Sequence, residues 1–160
     1  MPTGDVCDRL AGIIQRLSAR LGAPQFAPHV TLLGGCVGAR GEMIARSARV
    51  AAALRPFTLR LEQIGYLDEY FRCLFVYVAL TEPLRRAHQA ARLAFDQQRA
   101  PAFLPHLSLL YGNFPRSRKE ELMAELGPRL EMHFKARSLH VWQGHGDPRH
   151  WRRVARFGLE

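Results

Sequence analysis

Leu10, Ile13, Ile14, Leu17 and Leu21 recur at three- and four-residue intervals, which predicts a helix over 8–21 with Asp5 or Asp8 placed to cap it. Gly22-Ala23-Pro24 breaks that helix, and "APHVTLLGG" (27–35) then carries a strand over 27–33. "GEMIARSARVAAAL" (41–54) reads as a second helix, ended by Pro56. "FTLRLEQIGYLD" and "YFRCLFVYVAL" alternate as strands and predict a hairpin around Asp68-Glu69. Glu82-Pro83 opens a third helix over 82–99, with proline in its first turn. The loop "RAPAFL" leads into a strand within "PHLSLLYGNF". Ser117 with Glu120 or Glu121 resembles a capping box at the start of a fourth helix, 117–130. "MHFKARSLHVWQ" and "HWRRVARFGL" are expected to be the last two strands.

The order is helix–strand–helix–strand–strand, given twice. This is a weak internal duplication: two α+β halves packed as lobes of one domain covering residues 1–160. The third helix follows a strand, whereas the first begins almost at Met1. On this pattern, either the symmetry is imperfect or an opening strand of the first half lies upstream.

Composition narrows the class only a little. Apolar content of 48% and charged content of 23% are those of a soluble globular domain. No run approaches the roughly 20 apolar residues that cross a bilayer, and the start shows no secretory pattern, so the expected compartment is the cytoplasm and no membrane partner is expected. Cys7, Cys36 and Cys73 are scattered without paired spacing and read as small apolar fillers. The net charge of +9 would raise the local concentration of anions, which suits a phosphate-bearing ligand. Arginine on solvated faces accounts for the same number.

The informative feature is a repeat. "PHVTLLGG" (28–35) and "PHLSLLYG" (105–112) align without a gap as Pro, His, apolar, Thr or Ser, Leu, Leu, with Gly closing both. One His-x-Ser/Thr means little; two copies at matching places in two similar halves are hard to obtain by chance. Side chains alternate along a strand, so His29 and Thr31 share a face, as do His106 and Ser108. Two such strands facing across a groove would set two imidazoles and two hydroxyls around one small ligand. A cyclic phosphodiester suits that set. One imidazole takes a proton from water, the other protonates the leaving oxygen, and the hydroxyls hold the non-bridging oxygens, without metal or other cofactor.

The pair His29-x-Thr31 and His106-x-Ser108 resembles the signature of the two-histidine phosphoesterase superfamily. "F-x-PHVTLLG", "GYLDEYFRCLFVYV", "PHLSLLYG" and a tryptophan-containing C-terminal strand are similar to its cyclic phosphodiesterase branch from plants and yeast. The resemblance implies a bilobal α+β fold, two antiparallel sheets backed by helices, with the site in a central cleft. It implies hydrolysis of nucleoside 2′,3′-cyclic phosphates to 2′-phosphates and of ADP-ribose 1″,2″-cyclic phosphate to the 1″-phosphate. His29 and His106 become the catalytic pair, and Thr31, Ser108 and Tyr111 the phosphate-binding residues. The expected partner is a small cyclic nucleotide met by a monomer, with an RNA 2′,3′-cyclic end, as in the bacterial RNA-ligase-like branch, or a non-catalytic nucleotide-binding module as alternatives. The cysteines that pair in the plant proteins have no evident counterparts here.

Tyr111 lies five residues after His106, so strict alternation turns it to the opposite face unless the strand bulges before Gly112. His140, His145 and His150 surround a Gly-Asp-Pro turn and read as surface or cleft-edge residues rather than a metal set. Phe71, Phe75, Tyr77 and Phe103 have rings able to stack on a nucleobase but at strand spacing read as core, with Tyr70 or Trp142 as the expected base contact, and Arg72 and Arg116 as candidates for distal phosphates or solvated surface.

Overall fold

A computed structural model describes residues 1–97 and 102–160. Its elements run α1 (Gly4–Leu21), α2 (Arg40–Ala52), β1 (Phe57–Gly65), β2 (Leu74–Val78), α3 (Glu82–Ala94), β3 (His106–Leu110), α4 (Arg116–Leu126), β4 (His133–Ala136), β5 (Ser138–Gln143) and β6 (Arg152–Gly158). Single 3₁₀ turns occupy Tyr70–Arg72 and Pro148–His150. Four strands form an antiparallel sheet in the order β3-β2-β1-β4, and β5 and β6 form a separate antiparallel pair. The architecture is α+β, with two antiparallel sheets and helices against them.

Alternation decides which face of the large sheet is core. Leu59, Leu61 and Ile64 of β1, Leu74, Val76 and Val78 of β2, and Leu107 of β3 turn inward. They meet Leu10, Ile13 and Leu17 from α1 and Leu122 from α4. Phe75, Tyr77, His106 and Ser108 point to the other face, where Phe75 pairs with Ser108 and Tyr77 with His106. The β5–β6 pair packs on α2, and α2 on α3. Arg46 ties α2 to the end of α3 by bonds to the Ala94 carbonyl (2.9 Å) and Asp96 (2.7 Å).

Several boundaries differ from the expected ones. α1 starts at Gly4 behind Thr3, so Asp5 lies in the first turn and neither Asp5 nor Asp8 is the cap; an acidic group there still meets the positive end of the helix. No capping box forms on α4. Pro115 is its N-cap, while Glu120 and Glu121 are drawn into ion pairs with Arg116 and Arg118. That helix stops at Gly127, whose φ of 86° is left-handed, rather than at 130. The expected helix 82–99 ends at Ala94, where Asp96 takes a φ of 55°. Residues 98 and 99 of that span, and the start of the "RAPAFL" loop, lie outside the described residues.

The expected strand 132–143 is two strands. Met132, Phe134 and Ala136 are buried at even positions, so β4 faces the large sheet's core, and the chain leaves that sheet at Arg137 to begin β5. The β1–β2 pair is the expected hairpin, with Asp68 and Glu69 in its loop and a register shift between Leu61 and Ile64. Cys7, Cys36 and Cys73 are all free thiols. Among the described residues no helix is long and apolar enough to cross a membrane.

Candidate active site

The two histidine motifs are built differently. Residues 105–112 contribute β3, bonded along β2. Residues 27–33 do not form the expected strand: they make one antiparallel bridge, Val30 to Leu107, on the open edge of β3. Pro28 has no amide to donate and Gly34-Gly35 ends the apolar run, so little ladder can form on either side of Val30. The two segments therefore lie side by side rather than across a groove.

That single bridge sets the site. In an antiparallel register with Val30 opposite Leu107, Thr31 stands opposite His106 and His29 opposite Ser108. Val30 and Leu107 sit between these residues on the other face. Directly opposed side chains are about 5 Å apart and diagonal ones roughly 7–8 Å. The four form a quadrilateral, with the imidazoles on one diagonal and the hydroxyls on the other.

Each imidazole is held by the same local device. His29 Nδ1 lies 2.7 Å from the Ala27 carbonyl, and His106 Nδ1 lies 2.7 Å from the Leu104 carbonyl. A carbonyl only accepts, so both Nδ1 atoms carry the hydrogen and both Nε2 atoms are left to face a ligand. The intervening residues, Pro28 and Pro105, are buried and hold the residue before them extended, which aims its carbonyl back at the ring. The prolines in the repeated motif thus fix the tautomer. Burial lowers both pKa values below the ordinary histidine range; the charge of His106 lowers that of His29 further, and Arg72 does the same for His106.

The hydroxyls are not equivalent. Thr31 is exposed, whereas Ser108 is buried and donates to the Phe71 carbonyl at 2.9 Å. Tyr111 comes to the face of Ser108 because β3 bulges: Leu74 pairs with Leu110 but Phe75 with Ser108, leaving Leu109 extra and inverting the parity beyond it. Its ring stacks on Phe26 (centroids 3.8 Å apart) and meets Phe71 edge-on at 5.2 Å. Burial pushes its hydroxyl up to about 12, with the nearby Ser108 acting in the opposite sense.

Of the other candidates, Phe75 is fully buried against the His106 ring, and Tyr77 lies across Gly65. Phe71 is not core: it is 46% exposed and sits beside Tyr111 and Trp151. Tyr70 joins that group, whereas Trp142 is exposed on β5 opposite Arg153. Arg72 pairs with Glu69 close enough to His106 to affect its charge, and Arg116 pairs with Glu120 on α4. His140 bonds Ser138 through Nε2 at 2.8 Å, while His145 and His150 are exposed. Among the described residues no three His, Cys, Asp or Glu side chains converge. Sequence reasoning missed Phe26 and Trp151 as wall residues; the phenylalanine two places before the Pro-His pair was the available signal for the first.

Two His-x-Ser/Thr pairs on one face, with both Nε2 atoms unbonded among the described residues, can be compared with known proteins. Residues 6–148 match the 2′-5′ RNA ligase superfamily. The chain belongs to that family. It is a family of two-histidine phosphoesterases, so phosphoester chemistry follows at that level. Over 120 residues, 75% of the chain, it is 22% identical to a cyclic phosphodiesterase of Arabidopsis thaliana, and the aligned part spans 66% of the plant protein. A crystal structure from Thermus thermophilus superposes with a TM-score of 0.69 at 18% identity, covering 97% of this chain and 92% of that one. Escherichia coli LigT gives 0.62 at 18% identity in its apo form and 0.60 at 17% in complex with 3′-AMP, covering 94% of this chain and 91% of LigT in each case. At these identities the superpositions show a shared fold.

Proposed function

We propose that this phosphoesterase-family protein hydrolyses cyclic phosphodiesters of small nucleotides, with His29 and His106 as the acid–base pair. The observation that carries the reading is the register of the Val30–Leu107 bridge, which sets two imidazoles and two hydroxyls on one face. One Nε2 takes a proton from water as the water oxygen bonds to phosphorus. The P–O bond to the leaving ring oxygen breaks, and the other imidazole delivers its Nε2 proton to that oxygen. The product is a ring-opened phosphate monoester. Thr31 donates to a non-bridging oxygen directly, and Ser108 does so after turning its hydroxyl away from the Phe71 carbonyl. Tyr111 lines the phosphate site, and the exposed ring of Phe71 offers a base a stacking surface.

The name of the plant relative and the 3′-AMP complex of LigT support a nucleotide of this size. On the resemblance of the two motifs to the plant and yeast cyclic phosphodiesterases, the substrates in this reading are nucleoside 2′,3′-cyclic phosphates, opened to 2′-phosphates, and ADP-ribose 1″,2″-cyclic phosphate, with the chain acting as a monomer and without a cofactor. The family's description names RNA, which favours a second reading, an RNA strand as substrate, met at a 2′,3′-cyclic end. Comparing kcat/KM on 2′,3′-cyclic AMP, ADP-ribose cyclic phosphate and a cyclic-ended oligonucleotide separates the two. Preference for the oligonucleotide by tenfold or more would replace the small-nucleotide reading. Binding of all three without ring opening would reduce the protein to a nucleotide-binding module.

A further inference from the structure

We infer that His88, on α3, is the positioning residue that holds the first histidine motif in register with the second; this rests on the function proposed above. The segment carrying His29 and Thr31 has a single bridge to β3, which fixes one residue and leaves its flanks to other contacts. One of those contacts is His88 Nδ1, 2.7 Å from the Leu32 carbonyl. The carbonyl accepts, so Nδ1 carries the hydrogen and the tautomer is set. Thr31 is then pinned on both sides, by Val30 on β3 and by Leu32 on α3.

The same ring lies flat on Phe103, with centroids 3.8 Å apart and planes 4° from parallel. Phe103 precedes His106 by three residues, so one imidazole touches the chain just beyond Thr31 and just before His106. His88 is only 9% exposed, and among the described residues its Nε2 has no hydrogen-bond partner. A buried polar atom in that condition carries a desolvation cost that phenylalanine would not. The stack on Phe103 does not require a histidine. The Leu32 carbonyl does require a donor, and that bond explains why a residue poorly suited to its pocket stands there. His88 meets no substrate and acts through Thr31 and His29.

The stack and the donor separate by mutation. His88→Phe keeps the ring and removes both the donor and the orphaned nitrogen. The expected result is an unchanged or raised Tm with kcat on 2′,3′-cyclic AMP down about 10- to 100-fold, the scale of a misplaced catalytic group. His88→Asn keeps a donor where Nδ1 was and loses the stack, so it should recover most of kcat at a lower Tm. Wild-type kcat in folded His88→Phe overturns the proposal. So does His88→Asn no better than His88→Phe, or parallel loss of kcat and Tm in both. Imidazole ¹⁵N spectra of the wild type give a check that needs no variant: a hydrogen on His88 Nε2 instead of Nδ1 also overturns it. If the wild type opens no cyclic phosphate, the functional reading alone fails. The ¹⁵N pattern, with displacement of the Thr31 amide signal in His88→Phe, then decides the role of His88.

Discussion

Residues 28–35 and 105–112 are nearly the same words in one sequence and quite different objects in the fold. The second is a strand with a full partner in β2, a buried serine bonded to the Phe71 carbonyl, and a bulge that turns Tyr111 to the face of Ser108. The first is an extended segment with one bridge, an exposed threonine and a hold from α3 at Leu32. The chemistry they offer is equivalent; their mechanical support is not. A repeated motif therefore specifies which atoms meet a ligand, while the surrounding packing decides how firmly each half is held.

The most severe way to break the comparison is at the imidazoles. His29→Ala and His106→Ala should each lower kcat by about 10²–10⁴, the usual worth of a positioned acid or base. Both should leave binding of a 2′-phosphate nucleotide nearly intact by calorimetry. Retention of more than a tenth of the wild-type rate by either variant would remove that histidine from the catalytic pair.

The hydroxyls come next, and here the halves should diverge. Thr31→Ala and Ser108→Ala are each expected to reduce kcat/KM about 10- to 100-fold by loss of a donor to the phosphate oxygens. Only Ser108→Ala should also lower the Tm, since it alone breaks a buried bond, worth about 0.5–1.5 kcal/mol. Equal melting temperatures for the two variants would show that the Phe71 contact does not distinguish the motifs.

The smallest effects are those of pH. Burial lowers His29 and His106 below the ordinary value of 6.5, so the singly protonated pair forms on the acid side of that value. The kcat/KM profile should be bell-shaped with its maximum below pH 6.5, reporting macroscopic values of the pair. A bound anion favours the charged imidazole, so the kcat profile should lie at higher pH than the kcat/KM profile. Stability moves the other way from a raised histidine: these groups bind fewer protons folded than unfolded, so their contribution is complete above pH 6.5 and is lost as pH falls. His140, lowered by burial to about 4, extends that loss down to about pH 4. Thermal melts from pH 7 to pH 4 check this, and replacing His140 by glutamine should flatten the lower part of the curve.

Much of the fold was legible in the chain because one face of most elements is buried. The spacing of Leu10, Ile13 and Leu17 marks the face of α1 that meets β3, and the alternation in β1 and β2 marks the core side of the large sheet. The break at Arg137 is also legible in the chain: apolar residues fall at even positions through Ala136, whereas those of β5, Leu139 and Val141, are odd. An uninterrupted strand cannot change faces in that way. The Asp5 and Ser117 caps failed because a local side-chain bond competes with ion pairs and helix extension, neither of which a four-residue pattern reports.

The sequence by itself determined the chemical set of the candidate site: two imidazoles, two hydroxyls, and a proline before each histidine. Those are local relations along the chain, and alternation is enough to read them. Only the tertiary structure decided that the motifs lie side by side, that Thr31 stands opposite His106, that a bulge at Leu109 brings Tyr111 to their face, and that Phe26, Trp151 and His88 surround them. Register, bulges and contacts from other elements depend on residues distant in sequence, whose closeness is set by packing the whole core at once.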